Sequence, residues 1–131
     1  NINNIFTCSI HCKNNFPFDK KISNLDVPID DDVEDDKYIN ILIKTLNQIE
    51  SIFTPDIVFY DAGVDVHSDD DLGNLNLTDE GIKKRDEIVC KYFKEKKIPL
   101  CTVIGGGYSK DRQELASRHF SIFETVSKNY L

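Results

Sequence analysis

Residues 55–78 read PDIVFYDAGVDVHSDDDLGNLNLT, and this stretch contains a complete transition from strand to loop to helix. After Asp56 the sequence IVFY is continuously apolar, which is typical of a parallel strand that is covered on both faces. Residues 61–77, called the acidic loop below, are mostly polar. Thr78 is a good N-cap, and the two acidic residues after it suit the first turn of a helix. The stretch therefore predicts one strand–loop–helix unit of an α/β protein.

Similar units lie on both sides of this stretch. Upstream, NIFTCSIH (residues 4–11) predicts a strand, and downstream IPLCTVI (residues 98–104) predicts another. Apolar residues at spacings of three and four predict a helix through Tyr38, Ile39, Leu42, Ile43, Leu46, Ile49 and Phe53. A second helix has the apolar face Ile82, Ile88, Val89, Tyr92 and Phe93, and a third is supported by Leu115, Phe120, Ile122, Phe123 and Val126. Alternating strands and helices form βαβ crossovers, so we predict an α/β fold with a parallel sheet and flanking helices.

Length, charge and hydropathy exclude several classes of function. The chain has 131 residues, enough for one domain or part of one. Its formal net charge is -7, from 16 Lys and Arg against 23 Asp and Glu, so we expect no direct nucleic-acid binding. No apolar run approaches the roughly 18 residues that cross a bilayer, so we expect no membrane role. Because the chain begins at Asn1 and contains no Met, we expect it to be part of a longer protein.

The cysteines favour a reducing compartment. They lie within or beside apolar segments and lack the C-x-x-C spacing of common zinc sites and redox motifs: Cys8, Cys12, Cys90 and Cys101. We interpret them as reduced, buried thiols of an intracellular protein, nuclear or cytoplasmic. Zinc binding by the first two is the weaker alternative, because no second pair accompanies them.

The loops that follow the predicted strands are expected to form the functional edge. In a parallel sheet the loops at the carboxyl ends of the strands lie at one edge, where α/β proteins bind ligands. In the acidic loop, Asp65 and His67 are donors of the kind that zinc accepts. Asp69 and Asp71 are interpreted as a solvated turn. In the long polar stretch (residues 12–36), the sequence FPF suits either a pocket wall or a small local core.

The stretch VIGGGYSKD (residues 103–111) places three glycines before Tyr108. It matches neither G-x-G-x-x-G nor G-x-x-x-x-G-K-[ST], so only a generic phosphate nest of amides remains. Alternatively, the glycines turn the backbone without crowding the sheet edge, and Tyr108 projects above it. There its hydroxyl can donate a hydrogen bond to an oxyanion. A tyrosine packed at a turn is the third interpretation. Residues 105–111 are called the glycine loop below.

Taken in order, five segments closely resemble the carboxyl-terminal half of zinc-dependent histone deacetylases, especially the class IV branch and its bacterial relatives. They are FTCSIHCKNNFPF, LDVP, PDIVFYDAGVDVHSDDDLGNLNLT, GIKKRDEIV and IPLCTVIGGGY. The resemblance covers nearly the whole chain. It implies an arginase-like deacetylase fold, of which residues 1–131 are the carboxyl-terminal part. It also implies hydrolysis of acyl-lysine in histones or other proteins, with zinc, a histidine pair and an oxyanion tyrosine.

The resemblance also implies roles for individual residues. Asp65 resembles a zinc ligand, Tyr108 the oxyanion tyrosine, Gly106 and Gly107 the rim of the substrate tunnel, Phe16 and Leu72 its apolar wall, and Ser9 with the carbonyl of Ile10 part of a monovalent-cation (K⁺) site. His67 matches no ligand and is assigned to the surface or to the residues behind the site. The other two zinc ligands and the histidine pair are expected upstream of Asn1.

Because one carboxylate holds zinc weakly, the 131 residues alone are expected to be inactive. A halved sheet would also expose an edge strand and favour self-association. Two alternatives stay open at this point. One is a non-catalytic module that binds acyl-lysine, and the other is an unrelated nucleotide binder.

Overall fold

The computed structural model describes residues 4–131. These residues form four strands and three helices, namely β1 (Cys8–Cys12), β2 (Leu25–Ile29), α1 (Asp35–Ile52), β3 (Val58–Asp61), α2 (Asp79–Glu95), β4 (Leu100–Val103) and α3 (Arg112–Tyr130). β1 pairs with β2, and β3 pairs with β4, both in parallel. The predicted α/β class with parallel strands and flanking helices is confirmed. Within the described residues the strands form two separate two-stranded sheets.

The strand β2 lies inside the long polar stretch, where the sequence patterns predicted no strand. The Leu25 N–H donates to the carbonyl of Thr7 at 3.1 Å, and the Lys13 N–H donates to the carbonyl of Ile29 at 2.9 Å. The backbone N–H and C=O groups of residues 25 and 29 therefore point toward β1. Because these groups alternate in direction along a strand, the backbone nitrogen and carbonyl of Pro28 point to the outer edge of the sheet. A proline, which has no N–H, is tolerated at such an edge.

The predicted helices are present, and their caps explain where they begin. The Thr78 hydroxyl accepts a hydrogen bond from the Gly81 N–H at 3.1 Å, which confirms Thr78 as the N-cap of α2. The carboxylate of Asp35 accepts bonds from the Thr78 N–H and hydroxyl, and so joins the start of α1 to that of α2. α2 lies between α1 and α3 and contacts both.

The helix predicted near the end of the chain is present as α3, but two of its apolar residues are exposed. Ile122 is buried, but the side chains of Phe120 and Phe123 are 59% and 51% exposed. Their rings stack on each other with centroids 6.4 Å apart. Sequence spacing gives the helix but cannot tell which of its apolar residues find a neighbouring element.

One face of the β3–β4 sheet is uncovered in the described residues. We call this the open face, and it comprises Phe59, Cys101 and Val103, which alternate with inward-facing neighbours. Phe59 is 71% exposed. All four cysteines are free, but only Cys12 and Cys90 are buried, so the prediction of four buried thiols is wrong for the other two. Among the residues that the structure describes, no helix has the length and apolarity needed to cross a membrane.

Candidate functional site

The loops that follow the strands lie together, as the parallel arrangement predicts. The N–H groups of Val64 and Asp65 both donate to the carbonyl of Gly106, at 2.6 and 3.2 Å, which joins the acidic loop to the glycine loop. The Asn15 side-chain amide reaches the carbonyl of Leu72 at 3.4 Å, so the long polar stretch also contacts the acidic loop.

The carboxylate of Asp65 lies directly against the backbone of the glycine loop. A Cβ atom placed on Gly106 would lie 2.1 Å from Asp65 Oδ2, and one on Gly63 would lie 3.2 Å from Oδ1. Burial, and then the charge of Asp70, raise the pKa of Asp65. Among residues 4–131 no side chain donates a hydrogen bond to this carboxylate, although the N–H of Asp65 itself does. The remaining lone pairs are available to a cation.

The consecutive glycines permit close packing and do not supply a left-handed backbone. A Cβ on Gly105 would lie 1.7 Å from Asp61 Oδ1, and one on Gly107 would lie 2.7 Å from Val64 Cγ2. No glycine in the described part of the chain has a positive φ. These short distances agree with the interpretation that the glycines avoid crowding at the sheet edge. The left-handed conformations that glycine permits do not occur here.

Tyr108 follows these glycines and is not packed into the core. Its side chain is 48% exposed, and its N–H donates to Asp70 Oδ2 at 2.7 Å. Together with Leu72 and Gly107 it lines a shallow depression of about 370 Å³. Leu72 is 65% exposed. The structure thus brings Tyr108 to the same loop junction as Asp65.

The remaining residues singled out in the sequence line a neighbouring cavity. This cavity, of about 330 Å³, is bordered by Phe16, Ser9, Ile10 and Asp65. Phe16 is 84% exposed and packs edge to face with Phe18. The Ser9 hydroxyl lies 2.9 Å from Nδ1 of His11, which gives that histidine a side-chain partner.

A buried ionic network behind Asp65 was not identified from the sequence. Arg85 and Asp86 are 4% and 1% exposed. Arg85 Nη1 donates to the carbonyl of Gly63 at 2.7 Å, and its Nε donates to Asp86 Oδ1 at 2.9 Å. The Tyr60 hydroxyl donates to the same oxygen at 2.6 Å. Burial raises the pKa of Tyr60 well above its usual value, so the hydroxyl keeps its proton. Residues 83–87 (KKRDE) resemble an exposed helix face, so the sequence did not indicate a buried network.

His119 of α3 is a second residue that sequence reasoning missed. A Cβ on Gly107 would lie 2.8 Å from its Nε2, so the ring packs against the glycine loop. Its Nδ1 is buried without a partner among residues 4–131. Burial lowers the pKa of His119. Because His119 lies in a polar segment of the helix, the sequence pattern did not mark it as a candidate site residue.

His67 is buried, at 5% exposure, so its assignment to the surface is wrong. Its Nδ1 accepts a hydrogen bond from the Asp69 N–H at 3.0 Å, and its Nε2 lies 3.4 Å from Asp79 Oδ1. Both ring nitrogens are therefore engaged within the protein, which agrees with its lack of a ligand role. The Asp69 carboxylate is largely exposed but lies 3.5 Å from Arg118.

The donor set fits part of a metal site. Among residues 4–131 no group of three or more His, Cys, Asp and Glu side chains is arranged to hold a metal ion. Asp65 is a carboxylate with free lone pairs, and carboxylate oxygen is an accepted ligand of zinc. The described residues thus offer one ligand, and a complete site needs further donors.

The sequence of this chain is similar to those of known proteins. The family model of the histone deacetylase domain matches residues 1–123. An uncharacterized protein of Picosynechococcus sp. is 43% identical over 115 residues, covering 88% of this chain and 38% of that protein. Histone deacetylase 2 of Arabidopsis thaliana is 32% identical over 111 residues, covering 82% of this chain and 29% of that protein.

Solved structures show the same fold. An HDAC homolog from Aquifex aeolicus superposes with a TM-score of 0.73 at 22% identity, covering 93% of this chain and 34% of that one. An HDAC homolog complexed with SAHA gives a TM-score of 0.72. The chain thus spans between 29% and 38% of the length of these relatives. With the family model matching most of its length, the chain belongs to the histone deacetylase domain family.

Proposed function

We propose that this chain is the carboxyl-terminal part of a zinc-dependent deacetylase that hydrolyses acyl-lysine in histones or other proteins. The observation that carries the proposal is the Asp65 carboxylate, which lies against Gly106 without a side-chain hydrogen-bond donor among residues 4–131, beside the loop that presents Tyr108. Family membership supports the same activity. The longer protein that would contain this chain is called the full-length protein below.

Asp65 would be one of the zinc ligands. Bound zinc would supply a Lewis acid that polarises the acyl carbonyl and lowers the pKa of water. Asp65 would hold it through an oxygen that the glycine backbone leaves accessible, since any Cβ at position 106 would occupy that space. The other two ligands and the general acid–base histidines would come from the upstream part.

A cleft between the two sheets offers a place for the upstream ligands. It has a volume of about 410 Å³ and is lined by Ser9 and Ile10 of β1, by Phe59 and Tyr60 of β3, and by Asp65 at the loop end. Among the described strands, β1 pairs only with β2, and β3 pairs only with β4. An upstream strand that carries the other two zinc ligands would fit between them in parallel and present its donors beside Asp65.

Tyr108 would act on the substrate. Its hydroxyl would donate a hydrogen bond to the oxyanion that forms when the acyl carbonyl is attacked. Gly106 and Gly107 would shape the rim of the acyl-lysine tunnel, and Phe16 and Leu72, both largely exposed here, would form its apolar wall. Ser9 and the carbonyl of Ile10 would contribute to a K⁺ site beside it.

The first test is hydrolysis of an acetyl-lysine peptide by the full-length protein, with zinc content measured on the same sample. Tyr108→Phe is expected to keep the zinc and to lower kcat by about 10²- to 10³-fold, the usual loss when one oxyanion donor is removed. Unchanged turnover in this variant would remove Tyr108 from the mechanism. A full-length protein that binds acyl-lysine peptide but holds no zinc and hydrolyses nothing would instead support a non-catalytic binding module.

The isolated chain of 131 residues is expected to bind no catalytic zinc and to show no turnover, because it supplies one ligand. Zinc titration by calorimetry and the same peptide assay check this. Detectable hydrolysis by the purified chain would contradict the proposed division of the site.

We also propose that the open face is covered in the full-length protein and promotes self-association of the isolated chain.

A further inference from the structure

Asp70 joins the acidic loop to the glycine loop through both of its carboxylate oxygens. Oδ1 accepts hydrogen bonds from the N–H groups of Leu72 at 2.9 Å and Gly73 at 2.7 Å. Oδ2 accepts the N–H of Tyr108 at 2.7 Å. An ionised carboxylate only accepts hydrogen bonds, and its bonds to amides are roughly twice as strong as neutral ones. One side chain therefore holds two loops that are distant in sequence.

The backbone of Tyr108 is held on both sides by the acidic loop. Its N–H donates to Asp70, and its carbonyl accepts the N–H of residue 71 at 2.9 Å. The ring is half exposed, so few neighbours fix it directly. The direction of the hydroxyl consequently depends on how firmly the backbone is held.

We propose that Asp70 is a positioning residue for Tyr108, because its carboxylate fixes the tyrosine backbone and so aims the hydroxyl at the reacting carbonyl. This inference rests on the deacetylase function proposed above and extends it to a residue that is neither a metal ligand nor in contact with substrate. The same carboxylate fixes Leu72, so the tunnel wall and the oxyanion donor share one support.

Asp70→Asn in the full-length protein is the decisive substitution, because it preserves the shape of the side chain. The new amide group must point its NH₂ at the N–H of Tyr108 or at those of Leu72 and Gly73, so donor faces donor at one loop. We expect kcat to fall by about 10- to 100-fold, the size of effect that a displacement of about 1 Å can cause. KM and zinc content are expected to change little.

Asp69→Asn is the matched control. It removes the same charge one position away, from a largely exposed side chain whose carboxylate lies 3.5 Å from Arg118. Its kcat is expected to remain within about twofold of wild type, because a surface change of this kind disturbs little. An equal loss of kcat in both variants would show that charge alone, and not the hydrogen bonds of Asp70, is responsible.

A double-mutant cycle separates positioning from a general structural role. If Asp70 acts by aiming the Tyr108 hydroxyl, Asp70→Asn is expected to cause almost no further loss of kcat in a Tyr108→Phe background. Losses that multiply would overturn the inference. If wild type itself neither holds zinc nor turns over, the proposed function fails first. An active wild type with multiplying losses rejects only the role of Asp70.

Amide hydrogen exchange gives a readout that does not depend on activity. The Tyr108 N–H is expected to exchange faster in Asp70→Asn than in wild type or Asp69→Asn, because it loses its carboxylate acceptor. Unchanged exchange would contradict the inference. Asp70→Ser, which keeps one acceptor oxygen, repeats the experiment if the first variant does not fold. Failure of both to fold would show that Asp70 is structural.

Discussion

Asp86→Ala is expected to lower the free energy of unfolding of the full-length protein by about 3–5 kcal/mol, the usual effect of removing one partner of a buried ion pair. Asp86 is 1% exposed, and its Oδ1 accepts hydrogen bonds from Arg85 and from the Tyr60 hydroxyl. The substitution leaves the buried guanidinium without its carboxylate and the hydroxyl without an acceptor. Urea unfolding followed by circular dichroism measures the change.

The matched control for this experiment is Asp36→Ala. Asp36 also pairs with a cation, Lys84 at 3.8 Å, but its side chain is 96% exposed. Exposed pairs contribute between nothing and about 1 kcal/mol, so this variant is expected to unfold almost as wild type does. Equal destabilisation by the two substitutions would mean that the buried network contributes no more than a surface pair.

Asp65→Ala is expected to remove bound zinc from the full-length protein and to reduce acetyl-lysine hydrolysis to background. The loss is expected to exceed the roughly 10- to 100-fold that follows removal of a residue that only supports a metal ligand. The protein is expected to stay folded, because no other side chain depends on this carboxylate for a hydrogen bond among the described residues. Metal analysis and the peptide assay on the same preparation check both expectations.

Asp69→Ala is the control, because it removes a largely exposed carboxylate in the same loop. It is expected to keep both zinc and turnover. If Asp65→Ala retained zinc at the wild-type level, Asp65 would not be a ligand, and the observation that carries the proposed function would be lost. Together with Tyr108→Phe, the pair distinguishes loss of metal from loss of oxyanion stabilisation.

Local sequence patterns predicted the helices well because their signals are strong. The N-cap at Thr78 and the spacing of apolar residues in α2 both act within a few residues. The strand β2 was missed because Pro28 and the flanking aspartates resemble a loop. Only the pairing with β1 shows that the proline lies on an outer edge. The exposure of Phe120 depends equally on neighbours that the local pattern does not specify.

The candidate site, like the fold, could be predicted from the sequence only in part. Asp65 and Tyr108 could be selected from the sequence because the motifs around them resemble a known family. Their surroundings could not be, since Arg85, Asp70 and His119 act through contacts with residues far away in the chain. The sequence assigned no role to Asp70, yet its hydrogen bond to Tyr108 spans 38 positions. Distances of this kind come only from the folded structure.

The outward-facing Pro28 of β2 also disfavours the addition of further strands at this edge. An exposed strand edge recruits further strands by offering alternating N–H and C=O groups, and Pro28 removes a donor from the middle of that edge. An incoming strand would find no hydrogen-bond donor at this position, so β2 is a poor template for cross-β addition.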